Sequence, residues 1–153
     1  MSRVQLALNV SDIDGAVEFY SKLFATEPAK VRADYANFEV ADPPLKLVLI
    51  KNTDQTPGTL NHLGVEVMST EEVTAAQGRL AKEGLATALE EETSCCYAVQ
   101  NKVWVDGAGG QPWEIYTVLA DGETLGSSDT GESRCCADPR AMSPAASSTS
   151  TCC

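Results

Sequence analysis

The sequence predicts an α+β chain built from two consecutive βαβββ modules and a flexible C-terminal tail. Two matches and one contrast carry this expectation. The segment opening at Gln5, QLALNVSDIDGAVEFYSKLF, lies over the segment opening at His62, HLGVEVMSTEEVTAAQGRLAKEG, without a gap, and both read as a strand followed by a helix. The closing segments 44–50 (PLKLVLI) and 112–118 (PWEIYTV) match as well. Beyond residue 118 there is no aromatic side chain, and from Asp121 the composition turns to Gly, Ser, Thr, Ala, Asp and Pro. Such a segment cannot bury enough apolar surface to offset the entropy of ordering it. The expected organisation is one domain over residues 1–120, with modules at about 1–52 and 58–120, and a tail over 121–153.

In the first module Val4, Leu6, Leu8 and Val10 alternate with Gln5, Ala7 and Asn9, the period of a half-buried strand. Ile13, Val17, Tyr20 and Phe24 then recur at helical spacing, with Ser11 or Asp12 as the cap. Strands are expected at Tyr35–Val40 and over 45–50. In the second module Leu63, Val65 and Val67 form an apolar strand face. Ser69 and Glu72 make a capping-box pattern, opening a helix that turns Val73, Ala76 and Leu80 inward and ends at Gly84. Four short strands are expected after it, over 87–90, 97–99, 103–105 and 113–118, with an inserted segment around Cys95-Cys96.

Bulk properties narrow the function classes. The net charge of −11 disfavours nucleic acid and anionic membrane surfaces. No apolar run approaches the roughly 18 residues of a membrane span. The opening MSRVQLALNVSD reads as a strand and not as an export signal, so a reducing cytoplasm is the expected compartment. There, cysteines more often bind metals or do chemistry than cross-link the fold. All six cysteines fall in adjacent pairs: Cys95-Cys96, Cys135-Cys136 and Cys152-Cys153. Neighbouring Cα atoms about 3.8 Å apart suit a relaxed disulfide poorly, and two adjacent thiolates suit one soft ion, such as zinc, copper(I), cadmium or trivalent arsenic.

Strand parity picks out a second group. Gln5 and His62, the only histidine, point away from their apolar neighbours and are followed on that face by the small residues Ala7 and Gly64. Glu114, between Trp113 and Ile115, faces away from both, on the side of Tyr116. Under the overlay these three side chains, all with metal-binding atoms, project into one concavity.

Paired βαβββ modules opened by Gln5 and His62, with Glu114 on the closing strand, resemble the vicinal oxygen chelate superfamily of glyoxalases, bleomycin-resistance proteins and extradiol dioxygenases. The resemblance implies a vicinal oxygen chelate cup over residues 1–120, with Gln5, His62 and Glu114 as metal ligands. A glyoxalase-like isomerase would also carry a carboxylate on the closing strand of the first module, where the overlay puts Lys46. The stretch Thr93 to Gln100, with Lys102-Val103-Trp104-Val105 and Pro112-Trp113-Glu114, resembles the ArsI-type carbon-arsenic lyases and the related cadmium-induced CadI proteins. That narrower resemblance implies Fe(II) at the site, with Ni, Co or Zn as substitutes, and O2 as co-substrate. It implies a trivalent organoarsenical, methyl or aryl, held by Cys95 and Cys96.

Trivalent methylarsenic already has one carbon, so two thiolates complete its three-coordinate pyramid. Adjacent side chains of a regular strand diverge, so both thiols can reach one arsenic only from a loop or bulge. Tyr97, Trp104 and Tyr116 are candidates for lining the pocket, and Cys135, Cys136, Cys152 and Cys153 for capturing arsenic on the tail. The competing readings are a non-enzymatic thiol protein that binds cadmium or arsenic, a glyoxalase-like isomerase, and a drug-sequestering dimer. Either a monomer or a homodimer fits the sequence.

Overall fold

The computed structural model describes residues 1–125. Cys135, Cys136, Cys152 and Cys153, proposed above for arsenic capture, lie outside the described residues. The elements follow the order β1 (Arg3–Val10), α1 (Ile13–Phe24), β2 (Lys30–Val31), β3 (Tyr35–Val40), β4 (Leu45–Lys51), β5 (Leu60–Glu66), α2 (Thr70–Lys82), β6 (Thr87–Cys95), β7 (Ala98–Asp106) and β8 (Pro112–Asp121). This is βαβββ twice, as expected. The two-residue β2 escaped the alternation pattern. The expected strands over 97–99 and 103–105 are one continuous β7, because the polar run Gln100-Asn101-Lys102 between them is buried and paired with β8, and Gln100 and Lys102 with β6 as well.

All strands join one sheet in the order β2-β3-β4-β1-β5-β8-β7-β6. Within each module the first and last strands run parallel, β1 with β4 and β5 with β8, and the modules meet through the antiparallel pair β1–β5. The register at that seam is self-consistent: Gln5 pairs with Gly64 and Ala7 with His62. The overlay that carries Gln5 to His62 and Ala7 to Gly64 exchanges these two pairs, so the sequence repeat is the symmetry of the seam.

One equivalence is corrected. Gly64 pairs with Glu114, and its counterpart Ala7 pairs with Val48, not Lys46. The closing-strand overlay was therefore two residues out of register, a slip that strand alternation cannot detect because it leaves every side chain on the same face. The first module still has no carboxylate at that place; it has a valine.

The outer face of the first module is apolar. Leu6, Leu8 and Val10 join Ala36, Phe38, Val40, Leu45, Leu47 and Leu49, and α1 lies on them through Ile13, Ala16, Val17, Tyr20 and Phe24. Burying each such Leu or Phe contributes about 1.5–3 kcal/mol. Asp12 caps α1, its carboxylate accepting the Gly15 N–H at 3.0 Å, and Ala25 ends it in the left-handed region at φ 49°. At α2 the Ser69 hydroxyl accepts from the Glu72 N–H, while the Glu72 carboxylate reaches back to the Met68 N–H at 2.7 Å. Gly84, at φ 77°, follows the helix. With both helices outside, the odd-numbered residues of β1 and their neighbours are left to line the inner, concave face. No helix among the described residues is long and apolar enough to cross a membrane.

Candidate metal centre and paired cysteines

Gln5, His62 and Glu114 meet on the concave face across β1, β5 and β8. All three are at least 97% buried. Gln5 Nε2 lies 3.0 Å from His62 Nε2 and 2.8 Å from Glu114 Oε1, and His62 Nε2 lies 3.3 Å from Glu114 Oε1. Gly64 makes the convergence possible: a Cβ there would come within 3.1 Å of the Glu114 side chain and 3.3 Å of Gln5. The small residue that parity placed beside His62 is thus a real steric requirement.

The triangle has the dimensions of a ligand set. Bonds of about 2.1 Å meeting at right angles hold neighbouring donor atoms about 3 Å apart. The tautomer also fits. His62 Nδ1 is 2.7 Å from Asn61 Oδ1, an acceptor, and Nε2 faces the Gln5 amide, a donor. Asn61 and the Gln5 amide both favour the proton on Nδ1, which would leave the Nε2 lone pair aimed into the triangle, while the Glu114 carboxylate 3.3 Å from Nε2 competes for a proton there. Gln5 Oε1 accepts the Tyr116 hydroxyl. A half-turn of the amide would present Oε1 to the centre, with Nε2 then donating to the phenol oxygen. Among the described residues no cluster of three His, Cys, Asp or Glu side chains exists, so any such centre relies on the amide as its third ligand.

Electrostatics prepare the carboxylate. Burial by itself pushes the Glu114 carboxyl upward, but the Lys102 ammonium, 2.8 Å from Oε2, is the strongest opposing influence, and the group is held well below the usual carboxylate range. Glu114 is thus ionised, with one oxygen held by Lys102 and the other turned to Gln5 and His62. Burial, reinforced by Glu114 and Glu66, drives the Tyr116 phenol well above its ordinary value, so it stays a neutral donor. Lys102 was missed in the sequence because it fell between two supposed short strands. Its shared parity with Trp104 on the same strand was the available signal.

Lys46 takes no part in the triangle. Its ammonium pairs with Glu66 at 3.1 Å and lies 5.2 Å from the centre of the Tyr116 ring. Glu66 also pairs with Arg3, which reaches Glu39 at 3.0 Å. Although burial raises the Glu66 carboxyl, these cations outweigh it and lower it from its ordinary value.

The cysteine pair reaches the same cavity as the triangle through Cys96. β6 runs to Cys95, β7 starts at Ala98, and Cys95 pairs with Ala98, so Cys96 and Tyr97 form a two-residue hairpin turn. Both have left-handed φ, 56° and 58°. The expected insertion is therefore the tip of a long hairpin, and this tip breaks the strand alternation that would have sent the two thiols apart. Their Sγ atoms are 3.2 Å apart. Two metal–thiolate bonds of about 2.3 Å meeting near a right angle hold their sulfurs at about 3.3 Å. Cys95 is buried against Trp104, whose ring meets the His62 ring edge-on with centroids 5.5 Å apart. Cys96 packs on Ala7, Tyr35, Val48 and Ile50. Residues 122–125 run along the turn, where Cys96 N–H donates to Leu125 O at 2.6 Å and Tyr97 N–H to Thr124 O at 3.0 Å. Cys95 is disulfide-bonded in this structure, though not to Cys96, so the thiolate pair belongs to the reduced protein.

A cavity of about 270 Å³ opens beside these groups. Gln5 and Glu114 line it from the triangle, Cys96 from the turn, and Tyr35, Asn37 and Gln100 from the strands between. Tyr97, Trp104 and Tyr116, proposed above as pocket lining, are not among its lining residues. Trp104 and Tyr116 are buried core side chains, and Tyr97 packs against the cluster of Ala7, Tyr35, Val48 and Ile50, its hydroxyl donating to Asp34 at 2.6 Å.

Known proteins bear on this arrangement. Residues 3–115 match the Glyoxalase/Bleomycin resistance protein/Dioxygenase superfamily. The chain is 59% identical over 143 residues to the cadmium-induced protein CadI of Mycobacterium tuberculosis, covering 89% of this chain and 93% of that one. It is 53% identical over 153 residues to the trivalent organoarsenical cleaving enzyme of Thermomonospora curvata, covering all of both. Among solved structures, the Mn(II)-bound glyoxalase of Novosphingobium aromaticivorans aligns with a TM-score of 0.57 at 17% identity, over 84% of this chain and 44% of that one. Homoprotocatechuate 2,3-dioxygenase of Arthrobacter globiformis aligns with a TM-score of 0.55 at 20% identity, over 79% and 37%. These two likenesses are likenesses of fold. With the duplicated βαβββ modules, the family match and two relatives above 50% identity all in agreement, the chain belongs to the glyoxalase, bleomycin-resistance and dioxygenase superfamily, the vicinal oxygen chelate fold.

Proposed function

We propose that the chain cleaves the carbon-arsenic bond of trivalent organoarsenicals, releasing arsenite and an oxidised carbon fragment, in a reaction that depends on Fe(II) and uses O2 as the oxidant of that carbon. The observation that carries the reading is a pair of adjacent cysteine sulfurs, 3.2 Å apart on a hairpin tip, one of which lines the same cavity as Gln5 and Glu114. The relative named for organoarsenical cleavage, identical at 53% over its whole length, supports the same reading.

Gln5, His62 and Glu114 would hold the ferrous ion, which when bound supplies redox electrons and open positions for oxygen. The remaining work falls to the chain. Cys95 and Cys96, in the reduced protein, bind the arsenic of methylarsenite or a trivalent aryl arsenical and leave its carbon as the only non-sulfur substituent. The turn fixes that carbon's direction relative to the cavity that Gln5 and Glu114 line, which is orientation gained before reaction. Lys102 keeps Glu114 ionised, and Asn61 keeps the His62 lone pair on Nε2. Once the carbon is lost, arsenite prefers three thiols, so a two-thiol site retains it poorly and release is favoured.

The test is arsenite release from methylarsenite by reduced, ferrous-loaded protein with and without oxygen. Cys95→Ser or Cys96→Ser should abolish release while leaving the metal bound. Full turnover in either variant removes the clamp from the mechanism. Cysteine-dependent arsenical binding with no oxygen-dependent release would instead favour a non-enzymatic thiol-binding resistance protein.

A further inference from the structure

Asn61 lies next to His62 in β5, and in a regular strand the two side chains would point to opposite faces. They do not. The pairing of β1 with β5 runs from Ala7–His62 directly to Leu8–Leu60, so Asn61 is an extra residue on β5, a β-bulge. Bulges re-aim side chains, and here Asn61 Oδ1 comes to 2.7 Å from His62 Nδ1. The contacts continue outward. Asn61 Nδ2 donates to Asn9 Oδ1 at 2.9 Å, Asn9 Nδ2 donates to Thr59 Oγ1 at 3.1 Å, and the Thr59 hydroxyl donates to the backbone oxygen of Thr56 at 2.7 Å.

The direction of this chain is set at its outer end. A backbone carbonyl can only accept, so the Thr59 hydroxyl must donate to it and is left as an acceptor toward Asn9. The Asn9 amide then turns its nitrogen to Thr59 and its oxygen to Asn61, and the Asn61 amide turns its oxygen to His62. Asn9 is itself clamped, its N–H donating to Thr59 O at 2.9 Å and its carbonyl accepting the Gly58 N–H at 2.7 Å. Gly58 has φ 83°, a left-handed conformation that glycine adopts without a Cβ clash. The linker between the modules is thereby tied to the histidine.

We infer that Asn61 is a positioning residue: through the bulge and the Thr59–Asn9–Asn61 relay it fixes the Nδ1–H tautomer of His62 and so keeps the Nε2 lone pair directed at the metal site. The inference rests on the proposed function for its metal, and it stands apart from that reading for its tautomer. Partners of this kind on a ligating histidine typically change metal affinity 10–100-fold when removed.

His62 is the only histidine in the chain, so one imidazole reports the state. The experiment is nitrogen-15 NMR of the metal-free, full-length protein at a pH where the ring is neutral, with Mn(II) affinity measured alongside. Wild type should show Nδ1 protonated. Asn61→Ala should shift the ring toward Nε2–H and weaken Mn(II) by about 10–100-fold. Asn61→Asp, nearly isosteric and only an acceptor, loses the donor to Asn9 Oδ1 but keeps an acceptor for Nδ1–H, so it should hold the tautomer, which guards against a variant that merely fails to fold. An Nε2–H ring in wild type or in Asn61→Asp overturns the inference, as does Asn61→Ala with both readouts unchanged. Wild type with the Nδ1–H ring and no affinity for Mn(II) supports the relay and overturns the metal reading it serves.

Discussion

Glu114 brings a negative charge to an almost fully buried position, and Lys102, fully buried 2.8 Å away, is what makes that tolerable. Breaking a buried pair by removing one partner leaves the other charge uncompensated, at a cost of about 3–5 kcal/mol. Lys102→Met should therefore destabilise the metal-free protein by about that amount in urea unfolding at neutral pH. The pH dependence follows from the sign of the Glu114 shift. Its folded-state value is depressed, so the stabilisation is fully present above the unfolded carboxylate value of about 4.3 and is lost as pH falls through the folded value. Once the carboxyl is protonated it no longer needs a cation, so the difference between wild type and Lys102→Met should shrink steadily into acid. A difference independent of pH would show that Lys102 acts by packing alone. At this scale Gln5, His62 and Glu114 were legible because parity and the repeat acted on them together. Asn61 was not, since alternation assigns it to the opposite face and only the bulge turns it back.

The hairpin tip is the element on which the proposed chemistry turns. Two-residue turns with positive φ at both positions favour Asn-Gly, and this chain has Cys96-Tyr97. Left-handed backbone at residues with a Cβ costs roughly 1–2 kcal/mol each, which is offset by Cys96 packing on Ala7, Tyr35, Val48 and Ile50 and by the Tyr97 bond to Asp34. Replacing the pair by Asn-Gly relieves the backbone and forfeits the contacts, so stability in urea should change by no more than about 1 kcal/mol, since the two effects are of similar size. Capture of a trivalent arsenical should nevertheless be lost. Loss of the fold would mean that the side chains and not the turn hold the hairpin. The adjacency of the cysteines was plain in the sequence, and so was the need for a break in the strand. The length of the hairpin was hidden by the polar run Gln100-Asn101-Lys102, which reads as a surface loop and is in fact buried within β7.

On the scale of the whole molecule, the site exists only because two modules meet. Gln5 comes from the first, His62 and Glu114 from the second, and the β1–β5 seam brings them together. A metal bound there is bound by the folded state alone, so it should stabilise the entire chain: at a concentration 100 times its Kd, Fe(II) under argon should add about 2.7 kcal/mol to unfolding. His62→Ala and Glu114→Ala should abolish that increment, and an increment that survives both substitutions would place the metal elsewhere. The module plan and the seam were readable from sequence because the repeat is also the symmetry of the pairing. The two-residue slip that matched Lys46 to Glu114 in place of Val48 was not, since only the register distinguishes residues on one face of one strand. The proposed cleavage draws on seam, triangle and hairpin tip together, and one measurement tests it most directly. Reduced, ferrous-loaded protein is given methylarsenite in air and under argon, and arsenite is followed. Release in air, none under argon and none in Cys96→Ser is the expected result. No release in air from protein that holds both metal and arsenical, or equal release under argon, would contradict it.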